Sequence, residues 1–185
     1  MPQKRRIAIN EIGHAHELTC SAYRRLPVFS DPVCADILLK TLGEASQRLN
    51  FDVLAYVVMP EHFHFLVAPR GEYAVSAILR DIKQPSAMKM LVHIKLTRPV
   101  LAEQLAVMKG GRRVGRLWQQ GGGYDRNITK LETAQASINY IHQNPVARGL
   151  CDLATDWPWS SAGAYALDPI PVPVPISTRW LTGDD

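Results

Sequence analysis

The sequence predicts an α+β domain in which helices cover one face of an antiparallel β-sheet. Segments with strand-like and helix-like patterns follow one another in the order strand, helix, hairpin, helix, strand. That order is typical of an antiparallel sheet with helices packed on it. The length of 185 residues suits one domain with appendages. We therefore expect one domain over residues 1–165 and a proline-rich tail over residues 166–185.

The first strand and the first helix follow one another early in the chain. Residues 17–28 alternate between apolar and polar side chains, which indicates a strand that runs to Pro27. Asp31 then begins a helix, with Pro32 at the first helical position. Apolar residues recur at helical spacing from there to Asn50, so this helix has an apolar face for the sheet.

A β-hairpin and a long helical segment come next. Residues 51–59 and 62–69 are strand-like, and the two residues between them suit a hairpin turn. Residues 73–96 have helical periodicity with Pro85 in the middle, so we expect a break near Gln84.

The second half of the chain is predicted to contain two helices, a strand and the tail. A short helix is expected over residues 101–108, stopped by two glycines, and a strand over residues 112–120 that ends in three glycines. A helix over residues 129–143 begins with a capping box to Glu132, and Pro145 closes it. The prolines of the tail favour an extended segment lying over the domain.

Composition narrows the class of protein. With 46% hydrophobic and 21% charged residues, the chain is an ordinary globular protein, which excludes a disordered or collagen-like chain. The formal net charge of +4 is compatible with a polyanionic partner but does not require one. The cysteines, at positions 20, 34 and 151, contain no C-x-x-C pair. This pattern argues against a disulfide framework and a structural zinc site of the usual spacing, and favours buried thiols.

No segment has the features of a membrane anchor or a signal peptide. The chain has no apolar run of the roughly 18 to 20 residues that span a bilayer. Its basic first residues are followed by a stretch that contains Glu11, His14 and Glu17, which does not suit a signal-peptide core. We therefore expect a cytoplasmic protein.

Two histidines within the hairpin are the first candidate functional residues. His62 and His64 lie two positions apart in an apolar run, so on a strand they point to one face while Phe63 and Phe65 point to the other. Buried imidazoles need partners for both nitrogens. Two of them on one face can share a metal ion, although such pairs also occur on solvated strand faces.

Tyr140 and Asn144 supply a possible second half of the site. They lie four residues apart on the predicted helix and therefore share a face. If that face lies over the histidines, the site holds two imidazoles, an amide oxygen and a phenol. This set suits transesterification of a phosphodiester, with a divalent ion, Mg²⁺ or Mn²⁺, and tyrosine as the nucleophile. The alternative for Tyr140 is a half-buried tyrosine with one hydrogen bond.

Five segments in this order resemble the single-tyrosine HUH transposases, and within them most of all the REP-associated tyrosine transposases. The resemblance covers residues 17–165, and these segments carry it: Met59-Pro60-Glu61-His62-Phe63-His64-Phe65-Leu66-Val67, Leu117-Trp118-Gln119, Tyr124-Asp125-Arg126, the eleven residues from Tyr140 to Leu150, and Asp156-Trp157-Pro158-Trp159-Ser160-Ser161.

The resemblance implies both a fold and a reaction. The fold would be a ferredoxin-like (RRM-like) antiparallel sheet with the histidine pair at its centre, the catalytic domain of HUH endonucleases. His62 and His64 would bind the divalent ion, with Asn144 as the third ligand. Tyr140 would attack single-stranded DNA and leave a 5′-phosphotyrosine and a free 3′-hydroxyl. The substrates would be hairpins of repeated palindromic elements, and the branch suggests a monomer, with a dimer as the alternative.

The sequence departs from the family pattern at two places. Glu61 stands before the first histidine, where the family commonly has asparagine; it could contact the metal ion or form the turn, and we favour the turn. Three glycines precede Tyr124, where bulkier residues are common, and they could loosen a segment that contacts DNA.

Contacts to DNA are expected from a set of basic residues and one tryptophan. Guanidinium groups can pair with phosphates while a base stacks on the indole, although a solvated basic loop with a core tryptophan would have the same sequence. The candidates are Arg112, Arg113, Arg116, Trp118, Arg24, Arg25 and Lys83. Tyr124 and Tyr165 are rival nucleophiles, and neither has a suitable ligand four residues later on a convincing helix.

Two other functions fit the sequence. One is a hairpin-binding domain of the same fold that does not cleave DNA. The other is a hydrolytic metal phosphodiesterase, in which water rather than Tyr140 attacks the phosphate.

Overall fold

The main sheet has four antiparallel strands. The computed structural model describes residues 13–71, 74–121 and 123–183. The strands of the main sheet are β1 (Ala15–Ser21), β2 (Phe51–Met59), β3 (His62–Pro69) and β6 (Tyr124–Ile128), and a separate hairpin consists of β4 (Ala106–Lys109) and β5 (Arg112–Gly115). The order in the main sheet is β2-β3-β1-β6, and all its pairs are antiparallel. This is the strand order of the ferredoxin-like fold. The strand that carries both histidines, β3, is central, as expected.

Helices cover both faces of this sheet, so the prediction of a single covered face is wrong. The helices are α1 (Pro32–Arg48), α2 (Val75–Thr97), α3 (Pro99–Gln104), α4 (Leu131–Ala147) and α5 (Arg179–Thr182). One apolar cluster joins α1 and α2 to the sheet, and a second joins α4 to its other face. All nine residues of β2 are buried, which is the pattern of a strand covered on both sides. None of the helices in the described ranges combines the length and the apolar character needed to cross a membrane.

The first strand is shorter than predicted, whereas the helix that follows it, α1, begins where the sequence predicts. β1 ends at Ser21, and two 3₁₀ turns follow before Asp31. The backbone N–H of Ala22 donates to the Glu61 carbonyl over 2.8 Å, which draws the chain towards the β2–β3 turn. The buried apolar residues between Ser21 and Asp31 therefore lie in turns and not in a strand. Asp31 accepts a hydrogen bond from the Val33 N–H, the expected start of α1.

Neither proline inside a helix ends it. The predicted break near Gln84 is absent from the described residues 75–97, and α2 runs through Pro85. The Ser86 hydroxyl donates to the Ile82 carbonyl over 2.5 Å, so the side chain next to the proline turns back onto the preceding turn of the helix. The start predicted at Tyr73 lies outside the described residues. Pro145 likewise lies inside α4, whose N-cap residue, Lys130, makes no side-chain cap hydrogen bond, so the predicted capping box to Glu132 is wrong.

The segment predicted as a helix over residues 101–108 forms both a helix and a strand. It contains the end of α3 and most of β4, which pairs with β5. Gly110 and Gly111 have φ of 56° and 74°, so they form a hairpin turn and not a helix stop. The strand predicted over residues 112–120 is therefore limited to its first four residues, and Trp118 makes an isolated bridge with Ala22.

The tail packs on the domain in mostly extended form. The side chain of Val174 is buried in the cluster below α1, and the Ser177 N–H donates to the Val53 carbonyl over 2.9 Å. The four-residue helix α5 follows, and the indole N–H of Trp180 donates to the Gly13 carbonyl over 2.7 Å.

Candidate active site

The two histidines lie together on the sheet face that α4 covers. His62 and His64 are buried, with 7% and 6% of their surface exposed. Phe63 and Phe65 point to the opposite face, where their rings stack with centroids 4.0 Å apart. The predicted alternation of side chains along this strand is confirmed.

Hydrogen bonds to Nδ1 orient both imidazole rings. His62 Nδ1 lies 3.1 Å from Glu61 Oε1, and His64 Nδ1 lies 2.8 Å from Thr19 Oγ1. A carboxylate can only accept a hydrogen bond, so His62 carries its proton on Nδ1. The same tautomer of His64 places a donor towards the Thr19 hydroxyl and the Glu17 carboxylate, which is 3.9 Å away. Both Nε2 atoms are then free to bind a cation.

The Nε2 atoms of the two histidines are 3.1 Å apart. Two nitrogens bound at about 2.1 Å to adjacent positions of an octahedral ion would be about 3.0 Å apart, so the pair fits one ion without rearrangement. Two lone pairs that face each other over this distance repel unless a proton or a cation lies between them. The donor set of neutral nitrogen ligands therefore suits a divalent ion.

Burial keeps both imidazoles in the neutral form that a metal ion requires. Desolvation lowers the pKa of His64 to about 4, with a further contribution from His62. Desolvation also lowers the pKa of His62, although the Glu61 carboxylate opposes it. Near neutral pH, neither ring has to lose a proton before it binds a cation.

Helix α4 places Tyr140 beside this pair. The phenol ring lies edge-on to His64, with centroids 5.4 Å apart, and 54% of the tyrosine surface is exposed. The sequence predicted that these two groups, far apart in the chain, come together. Asn144 lies one helical turn further along α4 and is half-buried; its role as a third ligand stays a prediction.

A cavity of about 510 Å³ opens between the sheet and α4 next to these residues. Its lining consists of Glu17, Thr19, His64, Tyr124, Arg126, Ala136, Ser137 and Tyr140. The Ser137 hydroxyl donates to Glu17 Oε2 over 2.9 Å, and Arg126 Nη1 is 3.8 Å from the same oxygen. This buried carboxylate was missed by sequence reasoning, although its position on the inward face of β1 was a usable signal.

Glu61 has a larger role than the turn residue that we expected. It lies in the β2–β3 turn, and its carboxylate accepts a hydrogen bond from Arg148 Nη1 over 2.6 Å while it holds His62 Nδ1. Arg25 Nη2 is 3.7 Å away. Burial raises the pKa of Glu61, but the hydrogen bond from Arg148 and the nearby His62 together lower it by more. The net pKa of Glu61 is therefore below its usual value.

Four of the basic residues predicted to contact DNA occupy two regions. Arg112 and Arg113 lie on the exposed β4–β5 hairpin, where Arg113 is ion-paired with Glu103. Arg24 and Arg116 instead stack on the ring of Tyr23, with guanidinium carbons 5.1 and 5.5 Å from its centroid. Arg126, in the cavity beside Tyr140, is a basic residue that the sequence did not single out for DNA contact.

Trp118 is held in the protein and is only partly available for stacking. Its indole N–H donates to the Lys83 carbonyl over 2.8 Å, and its ring lies 5.6 Å from both Phe29 and Phe63. The Lys83 ammonium lies 5.8 Å from the indole centroid, on the side of a second cavity.

The two rival tyrosines differ in their surroundings. The Tyr165 hydroxyl donates to the Leu54 carbonyl over 2.6 Å, and burial raises its pKa to about 12, which argues against a nucleophile. Tyr124 lines the same cavity as Tyr140 and is 42% exposed, so it is the serious alternative.

Gly123, directly before Tyr124, has a steric function. Its φ is +81°, and a Cβ atom there would lie 2.4 Å from the Thr19 carbonyl oxygen. Only glycine fits this close approach of β6 to β1. We expected the three glycines to loosen this segment, but Gly123 instead allows it to pack closely against β1.

Known proteins resemble this chain in sequence and in fold. The REP-associated tyrosine transposase of Escherichia coli (strain K12) is 26% identical over 125 residues, which make up 64% of this chain and 62% of that relative. The match therefore spans less than two thirds of the relative's length. A solved structure of a REP-associated tyrosine transposase bound to a REP hairpin has a TM-score of 0.64 and 22% identity, covering 96% of this chain and 93% of its own. This likeness shows the fold.

A second solved structure, a putative transposase of Deinococcus radiodurans R1, has a TM-score of 0.47 and 22% identity, over 77% of this chain and 97% of its own. The model of the family described as IS200-like transposases matches residues 13–144, well over half of the chain and including both histidines, Tyr140 and Asn144. The chain belongs to the family of IS200-like transposases.

Proposed function

We propose that this protein cleaves single-stranded DNA at hairpin sequences and transfers the strand through a covalent bond to Tyr140. One observation carries the proposal: within a single chain, the exposed Tyr140 ring lies 5.4 Å from the ring of His64, at the mouth of a cavity. A nucleophile beside paired imidazoles and open to a polymeric substrate is the arrangement that this chemistry needs.

In the proposed reaction, the Tyr140 oxygen attacks a backbone phosphorus. A bond forms between that oxygen and phosphorus, and the bond from phosphorus to the 3′ oxygen breaks. The leaving 3′ oxygen takes up a proton, which balances the proton that the phenol gives up. The products are a 5′-phosphotyrosine and a free 3′-hydroxyl. Because the new ester conserves the energy of the broken one, a 3′-hydroxyl can reverse the step and join the strand elsewhere without a nucleotide cofactor.

His62, His64 and Asn144 are proposed to hold Mg²⁺ or Mn²⁺, with Mn²⁺ favoured by the two nitrogen ligands. When bound, such an ion polarises a non-bridging oxygen of the phosphate. Glu61 and Thr19 hold the two rings in place through Nδ1, an arrangement that raises the basicity of the opposite nitrogen.

Hairpin DNA is the proposed substrate. The solved structure with the same fold is described as bound to a REP hairpin, which supports this assignment. The net charge of +4 and the exposed arginines on the β4–β5 hairpin suit a polyanion. Arg126, at the cavity, is placed to contact a phosphate near Tyr140.

A monomer that uses its own tyrosine is proposed. The supporting observation is that Tyr140 lies beside His64 of the same chain. Mixing the Tyr140→Phe and His64→Ala variants tests this directly: if each chain uses its own tyrosine, the mixture stays inactive, whereas a shared site would restore activity.

A covalent-adduct assay tests the reaction. The full chain is incubated with Mn²⁺ and a hairpin oligonucleotide with single-stranded flanks, labelled at its 3′ end in one sample and at its 5′ end in another. The 3′ label should appear on the protein in a denaturing gel, and the 5′ label on a shorter free strand. Tyr140→Phe should abolish both products, while Tyr124→Phe and Tyr165→Phe retain them.

The two other functions predict different results. A hairpin-binding domain would retard the oligonucleotide without forming an adduct in any variant. A hydrolytic phosphodiesterase would still cleave DNA after Tyr140→Phe. Either result contradicts the proposal.

A further inference from the structure

A second group of possible metal ligands lies on the opposite face of the sheet. Within the described ranges, Asp31, Cys34 and His93 form a group of three whose ligand atoms all lie within 4.8 Å of one another. Asp31 precedes α1, Cys34 is in its first turn, and His93 is near the end of α2. Cys34 belongs to the apolar cluster under α1 and α2, whereas the histidine pair faces α4.

The ligand atoms of this group lie close enough together to reach a single ion. His93 Nε2 is 2.9 Å from Asp31 Oδ2, while Asp31 Oδ1 accepts the cap hydrogen bond from Val33. One carboxylate oxygen is therefore occupied and the other faces the histidine. Ligand atoms on a zinc ion lie about 3.3 to 3.8 Å apart, so small movements of side chains would bring the three atoms into place.

The three side chains also have the chemistry of a borderline metal site. A thiolate, an imidazole and a carboxylate are the ligands that zinc takes in proteins, whereas a thiolate does not suit Mg²⁺ or Mn²⁺. The Cys34 side chain is fully buried, whereas 14% of Asp31 and 23% of His93 are exposed. An ion would enter from the Asp31 and His93 side, and water would supply its fourth ligand.

We propose that Asp31, Cys34 and His93 form a binding site for zinc or a similar late first-row divalent ion. The site is separate from the histidine pair of the active site. Asp31 and Cys34 lie three residues apart at the start of α1, and His93 comes from α2, so bound metal would join the two helices. Sequence rules for zinc sites look for paired cysteines and miss a site of this kind.

The ion would also hold the segment that precedes α1. The N–H of Phe29 donates to the Pro60 carbonyl over 2.9 Å, and that of Ala22 to the Glu61 carbonyl over 2.8 Å. Residues 22–31 therefore connect the site to the turn before His62. The metal would stabilise the folded state by mass action, because the unfolded chain does not hold the three ligands together.

Cobalt binding tests the proposal on the full chain. The His62→Ala/His64→Ala variant removes the other candidate site, and Co²⁺ is added to the metal-free protein. We expect one equivalent of Co²⁺ with a thiolate-to-cobalt charge-transfer band in the near ultraviolet. The band should vanish with Cys34→Ser and persist with Cys151→Ser, a half-exposed thiol elsewhere. His93→Ala should weaken Co²⁺ binding at least about tenfold.

Thermal unfolding supplies a second measurement on the same proteins. Zinc should raise the unfolding temperature of the His62→Ala/His64→Ala variant and leave that of its His93→Ala derivative unchanged. If the Cys34→Ser variant does not fold, the response of the His93→Ala variant to zinc still tests the site. Absence of the charge-transfer band with all three ligands intact would overturn the proposal and leave an Asp31–His93 ion pair beside an inert thiol.

Discussion

Arg148 Nη1 donates a hydrogen bond to Glu61 Oε1 over 2.6 Å, and the same oxygen lies 3.1 Å from His62 Nδ1. Arg148 is the C-cap residue of α4, and Glu61 lies in the turn before β3. A single carboxylate oxygen thus connects the helix of Tyr140 to a ring of the candidate metal site.

Removing either partner should weaken the metal site more than the fold. Glu61→Gln removes the charge that holds His62 Nδ1, and we expect Mn²⁺ affinity to fall roughly 10- to 100-fold. Arg148→Gln leaves Arg25 near the carboxylate, and because Arg148 is 43% exposed its loss should cost only about 1 kcal/mol of unfolding free energy. Titration of Mn²⁺ and urea denaturation measure the two effects. Equal Mn²⁺ affinity in Glu61→Gln and the parent protein would contradict the role of this contact.

The two histidines of β3 should dominate Mn²⁺ binding. His62→Ala or His64→Ala removes a nitrogen ligand, so Mn²⁺-dependent adduct formation should fall below detection. His142 is the matched control: it is also 7% exposed, but its Nε2 lies 2.8 Å from Ser161 Oγ instead of facing another imidazole. His142→Gln should retain Mn²⁺ affinity. A loss of affinity in His142→Gln equal to that in His64→Ala would place the ion elsewhere.

Protonation of His142 should make stability depend on pH. Burial lowers its pKa to about 4 from the ordinary value of 6.5. Below pH 6.5 the unfolded chain binds a proton that the folded protein does not, so stability is lost as pH falls and the loss levels off near pH 4. The loss is about 3 kcal/mol. Urea denaturation between these limits should show a smaller decline in His142→Gln, and an unchanged decline would rule out this histidine as its source.

Gly123 should be intolerant of a side chain, unlike Gly121. Alanine at 123 would meet the Thr19 carbonyl oxygen at 2.4 Å with φ at +81°, and we expect a loss of roughly 3 kcal/mol or more. At Gly121, φ is +105° but nothing lies within 4 Å, so Gly121→Ala should cost about 1 to 2 kcal/mol. Urea denaturation of both variants provides the comparison. Equal losses would show that β6 does not approach β1 as closely as described.

Basic residues on the β4–β5 hairpin should contribute to DNA binding through phosphates. Arg112 is exposed, and Arg113 is ion-paired with Glu103. If Arg112 contacts a phosphate, Arg112→Ala should weaken binding to every hairpin sequence and reduce the slope of log affinity against log salt by about 1. Arg113→Ala should change the slope less, because its charge is already partly neutralised. Binding measured at several salt concentrations tests both expectations.

The parts of the site that depend on chain periodicity were predictable from the sequence. Alternation along a strand places His62 and His64 on one face, and helical spacing places Tyr140 and Asn144 on one side of α4. Predicting that the helix and the strand bring these residues together required the resemblance to a known family. The structure confirms it for Tyr140 and His64.

The parts that depend on distant partners were not predictable. Glu17 and Ser137 are 120 residues apart, and no local pattern pairs them. Rules for proline predict helix ends, but α2 packs into one apolar cluster through residues on both sides of Pro85, such as Ile82 and Met90, and this packing favours a continuous helix. The second helical layer was missed because β2 was assigned from its strand propensity. The apolar run from Val53 to Met59 nevertheless indicated burial on both sides.

Mass spectrometric mapping of the protein–DNA adduct identifies the residue that attacks the phosphate. The adduct formed with Mn²⁺ and a hairpin oligonucleotide is digested with protease and nuclease, and the modified peptide is sequenced. We expect a nucleotide phosphate on Tyr140 and on no other tyrosine. A phosphate on Tyr124, which lines the same cavity, or a cleaved oligonucleotide with no modified peptide would contradict it.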